Sequence, residues 1–157
     1  MIDVKEANMS DLSVLKTLNA EPDYFEKCFK QQKTILIVFV GSVAAGYGFL
    51  NWVPRYQFFE KMNIPEIQDL YVIPEYRKQG AATAMIRYCE VLLNNKNCNY
   101  VGVSVALHKD AGYAQRLYTK LGYIPDGNGV TYDRESIDRT KPYYVDDDLC
   151  LMLVKEL

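Results

Sequence analysis

Leu70-Tyr71-Val72-Ile73-Pro74-Glu75-Tyr76-Arg77-Lys78-Gln79-Gly80-Ala81-Ala82-Thr83 is the stretch on which the fold turns. It opens as an apolar, β-branched strand, breaks at Pro74 and closes on small residues suited to a helix start. Ile64 to Ile73 predicts the strand, and Met85, Ile86, Cys89, Val91, Leu92 and Leu93 supply the buried side of a helix from about Gly80 to Asn94. Tyr100 to Leu107 is a near-continuous apolar run and predicts another strand. Strand, helix, strand is a βαβ unit, so its strands run parallel with a right-handed crossover.

Upstream, Ile2 to Ala7 reads as a short strand. Ser10 stands where a helix cap belongs, with Leu12, Leu15 and Leu18 behind it at helical spacing. Asp23 to Gln31 predicts a second helix with Tyr24, Phe25, Cys28 and Phe29 on its apolar side. Thr34 to Val40 and Val43 to Val53 flank the turn Gly41-Ser42, the pattern of an antiparallel hairpin. Gly46 and Gly48 in the returning arm predict a bulge or a close neighbour. Pro54 to Asn63 reads as a loop holding Tyr56, Phe58 and Phe59.

Downstream, Ala114, Leu117, Tyr118 and Leu121 mark a helix over Ala111 to Leu121, ended by Gly122. Tyr123 and Ile124 start a strand, Asp126 to Asp148 reads as a long polar, tyrosine-rich excursion, and Leu149 to Val154 is the last strand. The sum is an α/β chain with a mixed sheet and helices on both faces, expected as one domain over residues 1–157.

Composition narrows the function classes. With 157 residues, 49% hydrophobic and 24% charged, the chain is ordinary globular material. A net charge of −2 offers no basic face for nucleic acid. No run approaches the roughly 20 apolar residues of a membrane helix, and Met1 to Glu6 lacks a signal-peptide pattern. Cys28, Cys89, Cys98 and Cys150 are scattered without a C-x-x-C pair, which predicts reduced thiols in a cytoplasmic protein and no metal site.

The quoted stretch also carries chemistry. The unpaired N–H groups of a helix's first turn attract anions, and Gly80, Ala81 and Ala82 let a ligand approach the backbone. Arg77 and Lys78 add positive charge, so the spot suits a phosphate or pyrophosphate. It is neither a P-loop nor the dinucleotide G-x-G-x-x-G. On the residues alone, a basic loop ahead of a helix is an equal reading.

Arg77-x-x-Gly80-x-Ala82, with its Leu-Tyr-Val-x-Pro-x-Tyr-Arg lead-in, resembles the Arg/Gln-x-x-Gly-x-Gly/Ala loop of the GNAT N-acetyltransferase superfamily. Ala114-Gln115-Arg116-Leu117-Tyr118-Thr119-Lys120-Leu121-Gly122-Tyr123 is similar to the family's A-x-x-L-Y-x-x-x-G-F/Y segment, and Lys5 to Leu12 to its first strand and helix start. The resemblance implies the GNAT fold with a mostly antiparallel sheet, acetyl-CoA as donor, and direct attack by an amine through a tetrahedral intermediate. It implies that Leu70, Tyr71, Val72, Arg77, Lys78, Gln79, Gly80, Ala81, Ala82, Thr83 and Tyr118 contact the cofactor. The Leu70 N–H would face the acetyl carbonyl and Val72 would pair with the pantetheine arm. Ala111 departs from an asparagine that many members carry there, which removes one cofactor contact.

Acetylating an amine requires a base, a polarised carbonyl and a proton for the leaving thiolate. Glu66 lies four residues before Leu70, and the strand period places both on one face, where an apolar cleft would raise its carboxyl toward neutrality. Members with a catalytic glutamate carry it at this position. Asp69, His108 and a water chain are the alternatives, and Asp69 reaches the same cleft only through a bulge. Tyr118 matches the family's general acid and equally completes a helix's apolar stripe. Asp146, Asp147 and Asp148 with Glu66 and Asp69 suggest a small cationic acceptor. Trp52, Tyr56, Phe58, Phe59, Tyr132, Tyr143 and Tyr144 are expected around it. Polyamines, aminoglycosides, amino acids and protein amines all remain open, as do a homodimer and a coenzyme-A-binding module without catalysis.

Overall fold

The computed structural model describes all of residues 1–157. Eight strands, β1 (Ile2–Glu6), β2 (Lys33–Val40), β3 (Val43–Asn51), β4 (Glu66–Val72), β5 (Tyr100–Ala106), β6 (Ile124–Tyr132), β7 (Glu135–Ser136) and β8 (Leu149–Glu156), form one sheet in the order β1-β2-β3-β4-β5-β8-β6-β7. Every neighbouring pair is antiparallel except β4 and β5. The helices are α1 (Leu12–Leu18), α2 (Tyr24–Lys30), α3 (Gln57–Met62), α4 (Ala81–Asn95) and α5 (Gly112–Lys120).

Both faces of the sheet are covered, so β2 is apolar on both sides rather than alternating. Leu36 and Val38 join Leu50, Ile67, Val101 and Val103 beneath Met85, Ile86, Cys89 and Leu93 of α4. Ile35 and Ile37 point the other way, to Tyr47, Phe49 and the α1–α2 side chains Leu15, Phe25 and Cys28. Each such side chain contributes about 1.5–3 kcal/mol on burial.

Several expected boundaries shift. Asn8, not Ser10, caps the first helical turn: its side chain accepts from Ser10 N at 2.9 Å while Asp11 accepts from Asn8 N at 2.9 Å. The expected loop at residues 54–63 contains α3, because Phe59 packs with Tyr56, Ile64 and Met152 over the bare backbone of Gly102. The first part of the expected polar excursion is β6, a strand paired with β8. Val91 is 59% exposed, and Glu90 takes the buried place beside it. The Glu90 carboxylate accepts from Arg87, Tyr123 and Lys155 at 2.8, 3.1 and 2.9 Å.

Two irregularities in β4 shape the site. Between Tyr47↔Tyr71 and Phe49↔Gln68 the strand carries one extra residue, and Asp69 there adopts a left-handed φ of +52°. β4 then pairs with β5 only at Glu66↔Gly102 and Ile67↔Val103, after which the two strands part. Gly46 explains how β3 follows the bulge, since a Cβ there would sit 2.2 Å from Tyr71 O. Gly46→Ala is expected to cost about 1–3 kcal/mol by overpacking, read as a fall of several degrees in Tm; an unchanged Tm would mean that β3 and β4 are not held this closely.

Candidate active site

Where β4 and β5 part, a cleft of about 410 Å³ opens. One wall is Leu70, Tyr71 and Val72, and α4 begins at the far side. Gly80, at φ +96°, makes the turn into α4, and the first N–H to reach a carbonyl is that of Ala84, 2.9 Å from Gly80 O. The N–H groups of residues 78–83 have no acceptor within the protein. These donors stand at the positive end of a fifteen-residue helix, where Gly80, Ala81 and Ala82 carry little or no side chain to cover them. Such a corner fits a diphosphate.

Lys78, Gly80, Ala81, Ala82 and Thr83 line this cleft as expected from the sequence. Arg77 lines it with its guanidinium turned back, Nε donating to Val72 O at 2.7 Å over the Tyr71 ring. The side chain of Gln79 instead donates to Glu75 O at 3.2 Å. α5 closes the opposite wall with Ala114, Leu117 and Tyr118. The Tyr118 ring packs edge-on to Tyr123, centroids 5.8 Å apart. Burial, with the negative charge of Glu66 adding, pushes its phenol up to about 12. It therefore keeps its proton at neutral pH.

On the face opposite α4, a groove of about 620 Å³ crosses the ends of β2, β3 and β4. Lys30, Lys33, Asn51, Arg55, Gln68 and Arg134 are among its lining residues. Glu66 lies beneath, fully buried. Its Oε1 accepts from Arg134 Nη2 at 3.3 Å and its Oε2 from Gln68 Nε2. The bulge gives adjacent residues to different cavities: Gln68 and Asp69 line the groove, Leu70 the cleft. The side chains of Glu66 and Leu70 consequently lie on opposite faces rather than one, because the extra residue inverts the alternation. Nor is Glu66 set against apolar surface, since both its oxygens are held by polar groups.

The bulge that Asp69 required is present, and Asp69 lines the groove with Gln68, its carboxylate accepting from the Tyr24 hydroxyl at 3.1 Å. The remaining expected site residues are placed elsewhere. The His108 ring is 2.6 Å from Asp147 Oδ1 and lines neither cavity. Trp52 donates to Thr34 Oγ1 at 2.9 Å and packs on the α4 side. Tyr56 is buried with its hydroxyl on Asp126, 2.6 Å away. Tyr144 is 81% exposed, and Tyr132 and Tyr143 stack on each other with Tyr132 bonded to Asp146. No aromatic wall surrounds the groove. Its actual polar lining was not legible from the sequence, because Lys33, Arg55 and Arg134 come from three segments that only the fold brings together. Tyr113 and Asp110 in the cleft had a signal: with Ala114, Leu117 and Tyr118 they continue one helical stripe.

The comparisons with known proteins agree with this geometry. The model of the Acetyltransferase (GNAT) family matches residues 2–123. Thialysine N-epsilon-acetyltransferase of Mus musculus is 32% identical over 65 residues, a match covering 41% of this chain and 36% of that relative. The fold is shared with an IAA acetyltransferase from Bacillus cereus ATCC 14579, at TM-score 0.69 and 12% identity over 100% of both chains. It is shared too with a GNAT family acetyltransferase from Elizabethkingia anophelis with acetyl-CoA bound, at TM-score 0.67 and 12% identity over 99% of this chain and 98% of that one. With its family model matched across both segments that build the cleft, the chain belongs to the acetyltransferase (GNAT) family.

Proposed function

We propose that the protein is an acetyl-CoA-dependent N-acetyltransferase acting on a primary amine. One observation carries the reading: the parting of β4 from β5 opens a cleft that holds both the unpaired amides of residues 78–83 and the Tyr118 phenol. Acetyl-CoA, when bound, supplies an activated acyl carbon and a thiolate leaving group. The amides of residues 78–83 would hold its diphosphate, and Leu70 to Val72 would line the rest of its site. Tyr118 donates the proton that the departing sulfur needs. Glu66, buried beneath Arg134 and Gln68 of the groove, takes the proton of the acceptor's ammonium, directly or through a water chain. The four free thiols suit a reducing, cytoplasmic setting.

The expected small cationic acceptor fits this groove poorly when it is a polycation. Of the groove's four cationic side chains, Arg55 and Arg134 are paired with Asp133 and Glu66, which leaves Lys30 and Lys33 with Asp69 as the one carboxylate in the lining. Asp146 and Asp147 are engaged locally by Tyr132 and His108.

Thiol release from acetyl-CoA with a panel of amines tests the proposal. Glu66→Gln is expected to lower kcat about a hundredfold near pH 7. That deficit shrinks as pH rises through the acceptor's own pKa, because bulk water then removes the proton. A module that binds coenzyme A without catalysis would bind acetyl-CoA equally well and release no thiol with any amine.

A further inference from the structure

We infer that the acceptor carries its own anionic group, a carboxylate or a phosphate, which docks on Arg134 and Lys33 while its ammonium engages Glu66. The inference rests on the acetyl-transfer reading and deepens it. Arg134 stands at the tip of the β6–β7 hairpin, where Asp133 and Arg134 both adopt left-handed φ, +47° and +63°. Neither is glycine, so this turn is costly and persists because its surroundings hold it. Arg55 does so, donating to Asp133 O at 3.2 Å and to Asp133 Oδ1 at 2.8 Å. The clamped tip delivers Arg134 over Glu66, where Nη2 reaches Glu66 Oε1 at 3.3 Å and Ser104 Oγ at 3.5 Å.

That reach leaves binding capacity unused. Arg134 Nε is buried with no partner, an uncommon state for a guanidinium donor. Lys30 and Lys33, on the same groove, belong to no ion pair. The planar Arg134 guanidinium, lining the same groove as the Lys33 ammonium that sits 5.7 Å over the Phe49 ring, matches a carboxylate or phosphate. The Glu66–Arg134 pair is itself complementary to a molecule bearing an ammonium and an anion a few bonds apart. Such an acceptor exchanges ion-pair partners with both groups and leaves neither buried charge alone. A polyamine offers nothing to Arg134 and meets the unpaired ammonium groups of Lys30 and Lys33.

Matched acceptors read the inference out: amino acids against their amides, phosphoethanolamine against ethanolamine, and spermidine as the polycation. The anionic member of a pair is expected to have a kcat/KM about ten- to a hundredfold higher. The pair with the larger ratio identifies the anion. Lys33→Gln and Arg134→Gln should shrink the ratio, and Arg134→Lys, which keeps the charge but loses the planar fork, should restore only part of it. Equal or inverted ratios, or spermidine outrunning both pairs, would overturn the inference while leaving acetyl transfer standing. If no acceptor releases thiol, calorimetry with N-acetylated amino acids and their amides decides without turnover. Tighter binding of the anionic products supports the inference, and absence of that preference overturns it. Failure to bind acetyl-CoA at all overturns the reading beneath it.

Discussion

Replacing Tyr118 with phenylalanine is expected to lower kcat at least about a hundredfold, with little change in the Kd for coenzyme A. The substitution removes one oxygen and keeps the ring that packs edge-on to Tyr123, so folding is not at stake. What disappears is the hydroxyl proposed as the proton donor to the departing sulfur. Because burial raises its pKa to about 12, this group holds its proton throughout the neutral range. The wild-type rate should accordingly show no alkaline fall from Tyr118 until well above pH 10. Steady-state thiol release across pH, for both proteins at saturating acetyl-CoA, checks the two statements together. A variant as fast as the wild type would remove Tyr118 from the chemistry and leave it a packing residue.

Glu90→Ala is expected to be the most destabilising single change among those considered, at about 3–5 kcal/mol. It strips three partners at once: Lys155 and Tyr123 lose their acceptor beside the sheet, and Arg87 loses its acceptor along α4. For a chain of this size that corresponds to a Tm lower by about 6–20 °C. Burial alone would raise the Glu90 carboxyl, but the hydrogen bonds from Arg87, Lys155 and Tyr123 outweigh it and hold the pKa below the ordinary value. A depressed carboxyl contributes stability that is complete above its unfolded pKa of about 4.3 and is lost as pH falls through the folded one. The Tm gap between wild type and Glu90→Ala should therefore be widest near neutrality and narrow below about pH 4. Calorimetry at several pH values reads it, and a constant gap would mean that packing, not charge, sets the loss.

The corner of unpaired amides was legible in the sequence because it is local. Strand, turn and helix start lie within one stretch, and the amides of residues 78–83 are unpaired simply because they precede the first helical bond at Ala84. The α4 stripe was read slightly wrong at Val91 because an apolar residue carries no mark of which side it faces, whereas Glu90 shows its place only beside Tyr123 and Lys155. The acceptor side was not legible. Strand period predicted Glu66 and Leu70 on one face, and the left-handed residue that inverts them is an aspartate, not a glycine that would have announced it. Arg134 reaches Glu66 across 68 positions of chain, a distance no local pattern spans. The aromatic residues were read as a pocket because large rings serve cores and ligands alike, and Tyr56 and Phe59 turned out to be core.

One extra residue in β4 makes that strand a partition with an entrance on each side. Under the proposed function, donor and acceptor would come to that strand through separate doors, so both could be in residence together and the acyl group would not have to be carried on one of the protein's own side chains in between.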